Sequence, residues 1–151
     1  MRLLLDTSVL IDLFARRQPF FADCERLSTM RAFGDAELWV SAKSYTDVFH
    51  VLKKAFDAAT VQKMFLKSLE HMNVCSIDGS DIARAASLAW ADFEDCLVYV
   101  AAEKVKADYV VTRDAGGFSA SRIPVRSASE FFEEYGKASG VFYDTVDFGA
   151  P

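Results

Sequence analysis

Residues 2–14 read RLLLDTSVLIDLF, and their pattern decides the fold. Leu3, Leu4 and Leu5 form an unbroken apolar run, which suits a strand buried on both faces of a parallel sheet. Asp6 stands where that run stops. Thr7 and Ser8 are residues that favour the start of a helix. Val9, Leu10, Leu13 and Phe14 then recur at helical spacing. The stretch therefore reads as strand, acidic turn, helix, with Asp6 at the carboxyl end of the strand. In open parallel sheets ligands bind at that rim. Asp6 is either the cap of the helix or the first member of a site, depending on which other acids reach the same rim. Asp12 is assigned to the exposed side of the helix and left out of the site.

Working outward, strands and helices alternate. Residues 20–33 and 42–56 read as helices, the latter following a short strand at Leu38, Trp39 and Val40. Residues 57–72 form a further amphipathic helix, and residues 74–77 a third strand. Ser80 or Asp81 is expected to cap a helix ending near Trp90. Residues 92–107 form a helix with three acids in its first four positions, and residues 108–112 form the fourth strand. Residues 123–125 form a brief fifth strand, which Pro124 confines to a sheet edge because it lacks an N–H donor. A last helix covers residues 127–135, with Ser127 or Ser129 as cap. Such alternation predicts an α/β fold: a parallel sheet of about five strands between two layers of helices. Residues 137–151 have aromatics but little periodicity, so a folded domain over residues 1–136 and a separate tail are expected.

The composition bounds the function. The chain has 151 residues, 52% hydrophobic and 26% charged, which suits one soluble domain with a real core. Its three cysteines, Cys24, Cys75 and Cys96, make no C-x-x-C pair, so neither a zinc knuckle nor a disulfide framework is indicated. With no apolar run approaching the roughly 20 residues of a membrane span and no signal-peptide core, a cytoplasmic protein without membrane association is expected. Net charge is −5, from 22 acids against 17 bases, which argues against a general electrostatic grip on nucleic acid. An acidic metal site beside a local basic rim stays compatible with it.

Asp6 and Asp114 close apolar strands. Asp92 and Asp95 start a helix at spacing i, i+3, on one face. Asp47 lies early in the helix after the second strand, among Tyr45, Val48 and Phe49. Each has a structural alternative: Asp92 as a helix cap, Asp114 as a turn residue before Gly116-Gly117, Asp47 as a solvated charge. Gathered at one rim, they would repel one another unless a cation neutralised them. A hard divalent ion such as Mg²⁺ is the natural partner, and phosphodiester hydrolysis the chemistry it implies. Arg113 is the most interesting candidate for a phosphate contact, because it adjoins Asp114; Arg16, Arg17, Lys43, Lys53 and Lys54 are the others. His50 and His71 match no H-E-x-x-H pattern, and the Gly116-Gly117 pair lacks the Lys of a phosphate loop.

Taken in order, LLLDTSVLIDLF, SAKSYTDVFHVL, DFEDCLVYVAAE and ADYVVTRDAGGF resemble the PIN domain, in the bacterial branch that includes VapC-type toxins. The resemblance spans residues 2–135. It implies strand order 3-2-1-4-5, a ribonuclease dependent on Mg²⁺ or Mn²⁺, an RNA substrate, an antitoxin protein as partner, and a homodimer. It carries catalytic and metal-binding roles onto Asp6, Asp47, Asp95 and Asp114, with Asp92 a companion metal ligand and Thr112 and Ser8 supporting. Two departures stand out: Asp47 is one methylene shorter than the usual Glu, and Ser8 stands where Asn is common. They keep alive a catalytically silent binding module of the same fold. An aspartyl phosphotransfer protein ranks third, since Ser8 occupies the place of the second Asp that a haloacid-dehalogenase-type site needs.

Overall fold

The computed structural model describes residues 1–144. Its sheet holds five parallel strands in the order β3-β2-β1-β4-β5. The strands are β1 (Arg2–Leu5), β2 (Glu37–Ser41), β3 (Asn73–Cys75), β4 (Tyr109–Val111) and β5 (Val125–Arg126). The helices are α1 (Thr7–Phe14), α2 (Phe21–Ala32), α3 (Ala42–Leu52), α4 (Ala58–Ser68), α5 (Gly79–Leu88), α6 (Phe93–Lys104) and α7 (Ala128–Ser139). A short 3₁₀ turn covers Ala115–Phe118.

The leucines of β1 explain the layering. Side chains alternate across a strand, so Leu3 and Leu5 enter the core shared with α1, α2, α3, α4 and α7. Leu4 enters the opposite core, built with α5 and α6. All three are at most 1% exposed. Each such burial stabilises the fold by roughly 1.5–3 kcal/mol. Helix α6 buries every residue from Cys96 to Ala102, far more than the expected stripe of Leu97, Val100, Ala101 and Val105. It lies between the sheet and α5, with Trp90 stacked on Tyr99 at 4.9 Å. A helix apolar on all sides is one enclosed on all sides.

Some boundaries differ from the sequence reading. Helix α5 is capped by Asp78, not Ser80 or Asp81: its carboxylate accepts from the Ser80 and Asp81 amides while Asp81 accepts from the Asp78 amide. This reciprocal box satisfies more free N–H groups than a lone serine can. Helix α3 stops at Leu52, leaving Asp57 free to cap α4. Helix α7, capped by Ser127, runs to Ser139 and ends on Gly140 in the left-handed region. Residues 141–144 then return toward α2, where the buried Tyr143 donates its hydroxyl proton to Asp35. The remainder of the expected tail, residues 145–151, lies outside the described residues.

Sheet register places the rim. Leu5 of β1 is paired with Val111 of β4, so the next residues, Asp6 and Thr112, emerge side by side. The Asp6 amide extends the ladder one step by donating to the Val111 carbonyl at 2.9 Å.

Candidate active site

Asp6 occupies the N-cap position of α1, yet its side chain makes no cap hydrogen bond. Its carboxylate is spent otherwise. Oδ2 accepts from the Thr112 hydroxyl at 2.8 Å and from the Ser8 hydroxyl at 3.2 Å. Thr112 Oγ1 in turn accepts from the Asp114 amide at 3.0 Å, and Ser8 Oγ from the Arg113 amide at 3.2 Å. Thr112 and Ser8 thus hold one oxygen of Asp6, and they tie the carboxyl ends of β1 and β4 together. The cap alternative for Asp6 falls away on this geometry. Asp6 is 7% exposed, so its two neutral donors replace water at a nearly buried charge.

Asp95 approaches from the other side, on the first turn of α6. Burial pushes its carboxyl up to about 7, helped by the negative charges of Asp6, Asp92, Asp114 and Glu94. Four acids therefore act on a fifth: Asp92 and Glu94 from its own helix start, and Asp6 and Asp114 from two other stretches of sequence. Asp92 caps α6, its Oδ1 accepting from the Asp95 amide at 3.0 Å. The structural alternative for Asp92 is thus realised, while its charge still bears on Asp95.

Asp47 and Asp6 line one cavity of about 360 Å³ together with Asp95, Glu94, Lys43 and His50. Asp47 is already engaged: Lys43 Nζ donates to its Oδ2 at 2.6 Å and stands 3.4 Å from Glu94. Burial opposes the charge of Lys43, but Asp47 and Glu94 outweigh it and hold its pKa above the usual value. Asp114 sits on the exposed loop after β4, beside Gly116. Arg113 turns its guanidinium onto Asp12, not toward Asp6: Nε lies 2.6 Å from Asp12 Oδ2.

Two features were missed in the sequence. Asp12 is 0% exposed, against its assignment to the outer side of α1. Gly117, read as a plain turn residue, lets the backbone pass directly over Asp95: a Cβ there would lie 1.7 Å from Asp95 Oδ2. The Gly-Gly pair following Asp114 was the available signal for the second. Nothing local signalled the first.

The donors fit a hard divalent cation in kind: carboxylate oxygens only, mutually repelling, at a strand-end rim. Among the described residues, no three acidic, histidine or cysteine side chains stand as a ready cage around one ion. Electrostatic coupling and cage geometry are different conditions, and the site meets the first. Mg²⁺ retains several waters and needs only one or two carboxylates directly, so a loose acidic rim is compatible with it.

A sequence profile described as "PIN domain" matches residues 2–116. Solved structures share the fold. VapBC-1 from nontypeable Haemophilus influenzae superposes with a TM-score of 0.67 at 16% identity, covering 85% of this chain and 99% of that one. VapC20 of Mycobacterium tuberculosis, described as a sarcin-ricin loop cleaving toxin, gives 0.65 at 13% identity, covering 78% and 94%. A toxin-antitoxin complex from Klebsiella pneumoniae gives 0.58 at 22% identity, covering 83% and 96%. No curated protein matches the sequence.

Proposed function

This chain belongs to the PIN domain family, and on that premise we propose that it is a Mg²⁺- or Mn²⁺-dependent endoribonuclease, the toxin of a type II toxin–antitoxin pair. The observation that carries the reading is the convergence of Asp6, Asp47, Glu94 and Asp95 on one cavity at the strand-end rim, where burial and the charges of Asp6, Asp92, Asp114 and Glu94 push the Asp95 carboxyl up to about 7. A strongly perturbed acid in a cleft, with named charges as its cause, is a candidate functional group. Asp6, Asp95 and Asp114 would hold the cation, with Asp47 and Asp92 completing the acidic surround. When bound, such an ion supplies Lewis acidity and lowers the pKa of water, the needs of phosphodiester hydrolysis.

The protein's own groups do the rest. Thr112 and Ser8 fix one oxygen of Asp6 and so orient the other. The carboxyl of Asp95 releases its proton when positive charge enters the cavity. Lys43 and the exposed edge of Arg113 offer cationic contacts to a phosphate backbone. The antitoxin partner and a homodimer follow from the same reading: the Klebsiella relative was solved as a toxin-antitoxin complex. No helix among the described residues is long and apolar enough to cross a membrane.

Asp6→Asn tests the reading. The expected result is loss of Mn²⁺-dependent RNA cleavage with the circular-dichroism spectrum unchanged; undiminished cleavage would refute it. A second reading, a silent module that binds partners without cleaving, draws on the engagement of Asp47 by Lys43 and on the open arrangement of the acids. Calorimetric titration with Mn²⁺ separates the two. A nuclease site binds the ion in a manner that requires Asp6 and Asp114, and a silent module does not.

A further inference from the structure

Helix α1 carries two carboxylates, and both reach residues 112–114. Asp6, at its start, takes the Thr112 hydroxyl. Asp12, further along, meets the Arg113 guanidinium at 2.6 Å. Asp12 is fully buried, and neither of its oxygens has a partner in hydrogen-bonding geometry. The contact with Arg113 is therefore an ion pair defined by distance, not by hydrogen-bond angle. Around the pair, Val9, Phe20, Cys24, Ala128 and Ser129 wall a cavity of about 260 Å³.

A buried charge in such a setting needs a reason. Replacing a buried ion pair by apolar groups of similar volume is often neutral or stabilising, so the pair is weak evidence for stability alone. Helix α1 already packs through Val9, Leu10 and Ile11. What a charge pair adds over a leucine is direction. Arg113 is held on three sides: by Asp12, by the Phe20 ring 4.7 Å from its guanidinium carbon, and by its own amide donating to Ser8 at 3.2 Å.

We propose that Asp12 is a positioning residue for the acidic rim: by clamping Arg113 it fixes residues 112–114, which support Asp6 and present Asp114. The segment needs such a clamp. Strand β4 ends at Val111 and the 3₁₀ turn begins only at Ala115, so residues 112–114 lie in neither. Their place is set by a few individual contacts: the Thr112 amide on the Arg126 carbonyl, the Thr112 hydroxyl on Asp6, and the Arg113 ion pair, which alone engages the Arg113 side chain with a charge. Shifting Arg113 would move its amide from Ser8 and, through Thr112 Oγ1, the amide of Asp114. The inference rests on the reading that Asp6, Asp95 and Asp114 hold a divalent cation.

The test is Mn²⁺ titration by water-proton relaxation, run beside thermal unfolding, on the whole chain and on Asp12→Asn, Arg113→Gln and the double variant. Groups that orient metal ligands typically change metal affinity by roughly 10–100-fold. Each single variant is expected to weaken Mn²⁺ binding by about that factor, and the double variant no further than either single, because the pair acts as one unit. Folded single variants that bind Mn²⁺ like the unaltered protein overturn the proposal, whatever their loss of thermal stability. So do losses that multiply in the double variant. If Asp12→Asn does not fold, Arg113→Gln and the charge-free double variant decide by the same criterion. An unaltered protein that binds no Mn²⁺ overturns the metal-site reading itself and this inference with it.

Discussion

Adding one methyl group at Gly117 should disable the site without touching any acid. The Cβ of Gly117→Ala would fall 1.7 Å from Asp95 Oδ2 and 2.9 Å from Asp95 Cγ. Ordinary contact distance is roughly 3.5 Å. The carboxylate therefore has to retreat by about 1.5 Å or more to reach that separation. The backbone of Asp95 cannot share the motion, because the next seven residues of α6 are all buried. Either the side chain rotates or the 3₁₀ turn carrying Gly117 shifts, and both displace the carboxylate from the turn that now covers it. Misplacing a reacting group by about 1 Å can cost roughly 100-fold in rate. Gly117→Ala is thus expected to lose Mn²⁺-dependent RNA cleavage by about two orders of magnitude, with its far-ultraviolet spectrum preserved. The neighbouring Gly116→Ala is the control: its Cβ would lie 3.4 Å from Asp114 Oδ1, an ordinary contact, and cleavage should stay near normal. Cleavage at the unaltered rate by a folded Gly117→Ala protein would refute the placement of Asp95 in the reacting centre.

Metal affinity should depend on pH through Asp95. With its carboxyl near 7, the apparent Mn²⁺ dissociation constant should rise about tenfold between pH ~8 and pH ~6 as proton and ion compete; calorimetry in two buffers of different ionisation heat would detect the released proton. The metal-free protein shows the companion effect. Native Asp95 keeps its proton above the unfolded value of 3.8, so the stability it contributes is full below that value and lost as pH rises through about 7. The melting temperature measured in chelator should fall across that window. Lys43→Met removes the cation 2.6 Å from Asp47 and should tighten Mn²⁺ binding severalfold while weakening RNA binding, read by fluorescence anisotropy. Asp78→Ala removes the α5 cap and should cost about 1 kcal/mol in urea unfolding with cleavage unchanged.

The sequence carried the rim but not everything that holds it. Leu3, Leu4 and Leu5 announced a strand buried on both faces, and that alone placed Asp6 at the carboxyl end of the sheet. Asp95 and Asp92 were legible because helix starts tolerate acids and the i, i+3 spacing gives them one face. Asp12 was not, since the charge that meets it, Arg113, lies in a distant stretch of the sequence. A charged residue on an amphipathic helix reads as solvated until its partner is known. Gly117 was signalled only by the Gly-Gly pair itself, because what it approaches, the Asp95 side chain, belongs to another stretch of the sequence. The α5 cap was misjudged because Asp78, Ser80 and Asp81 compete locally, and reciprocal bonding of the two acids decides the contest.

The outer strands of the sheet have a consequence for assembly. Strand β3 spans three residues and β5 two, and β5 follows a proline. So little free main chain is on offer that an incoming segment would gain only a bond or two by adding itself as a sixth strand. β-Augmentation is closed to this fold at both ends. A protein that bound this one would have to read side chains and helix surfaces instead, and its selectivity would be written in shape and charge.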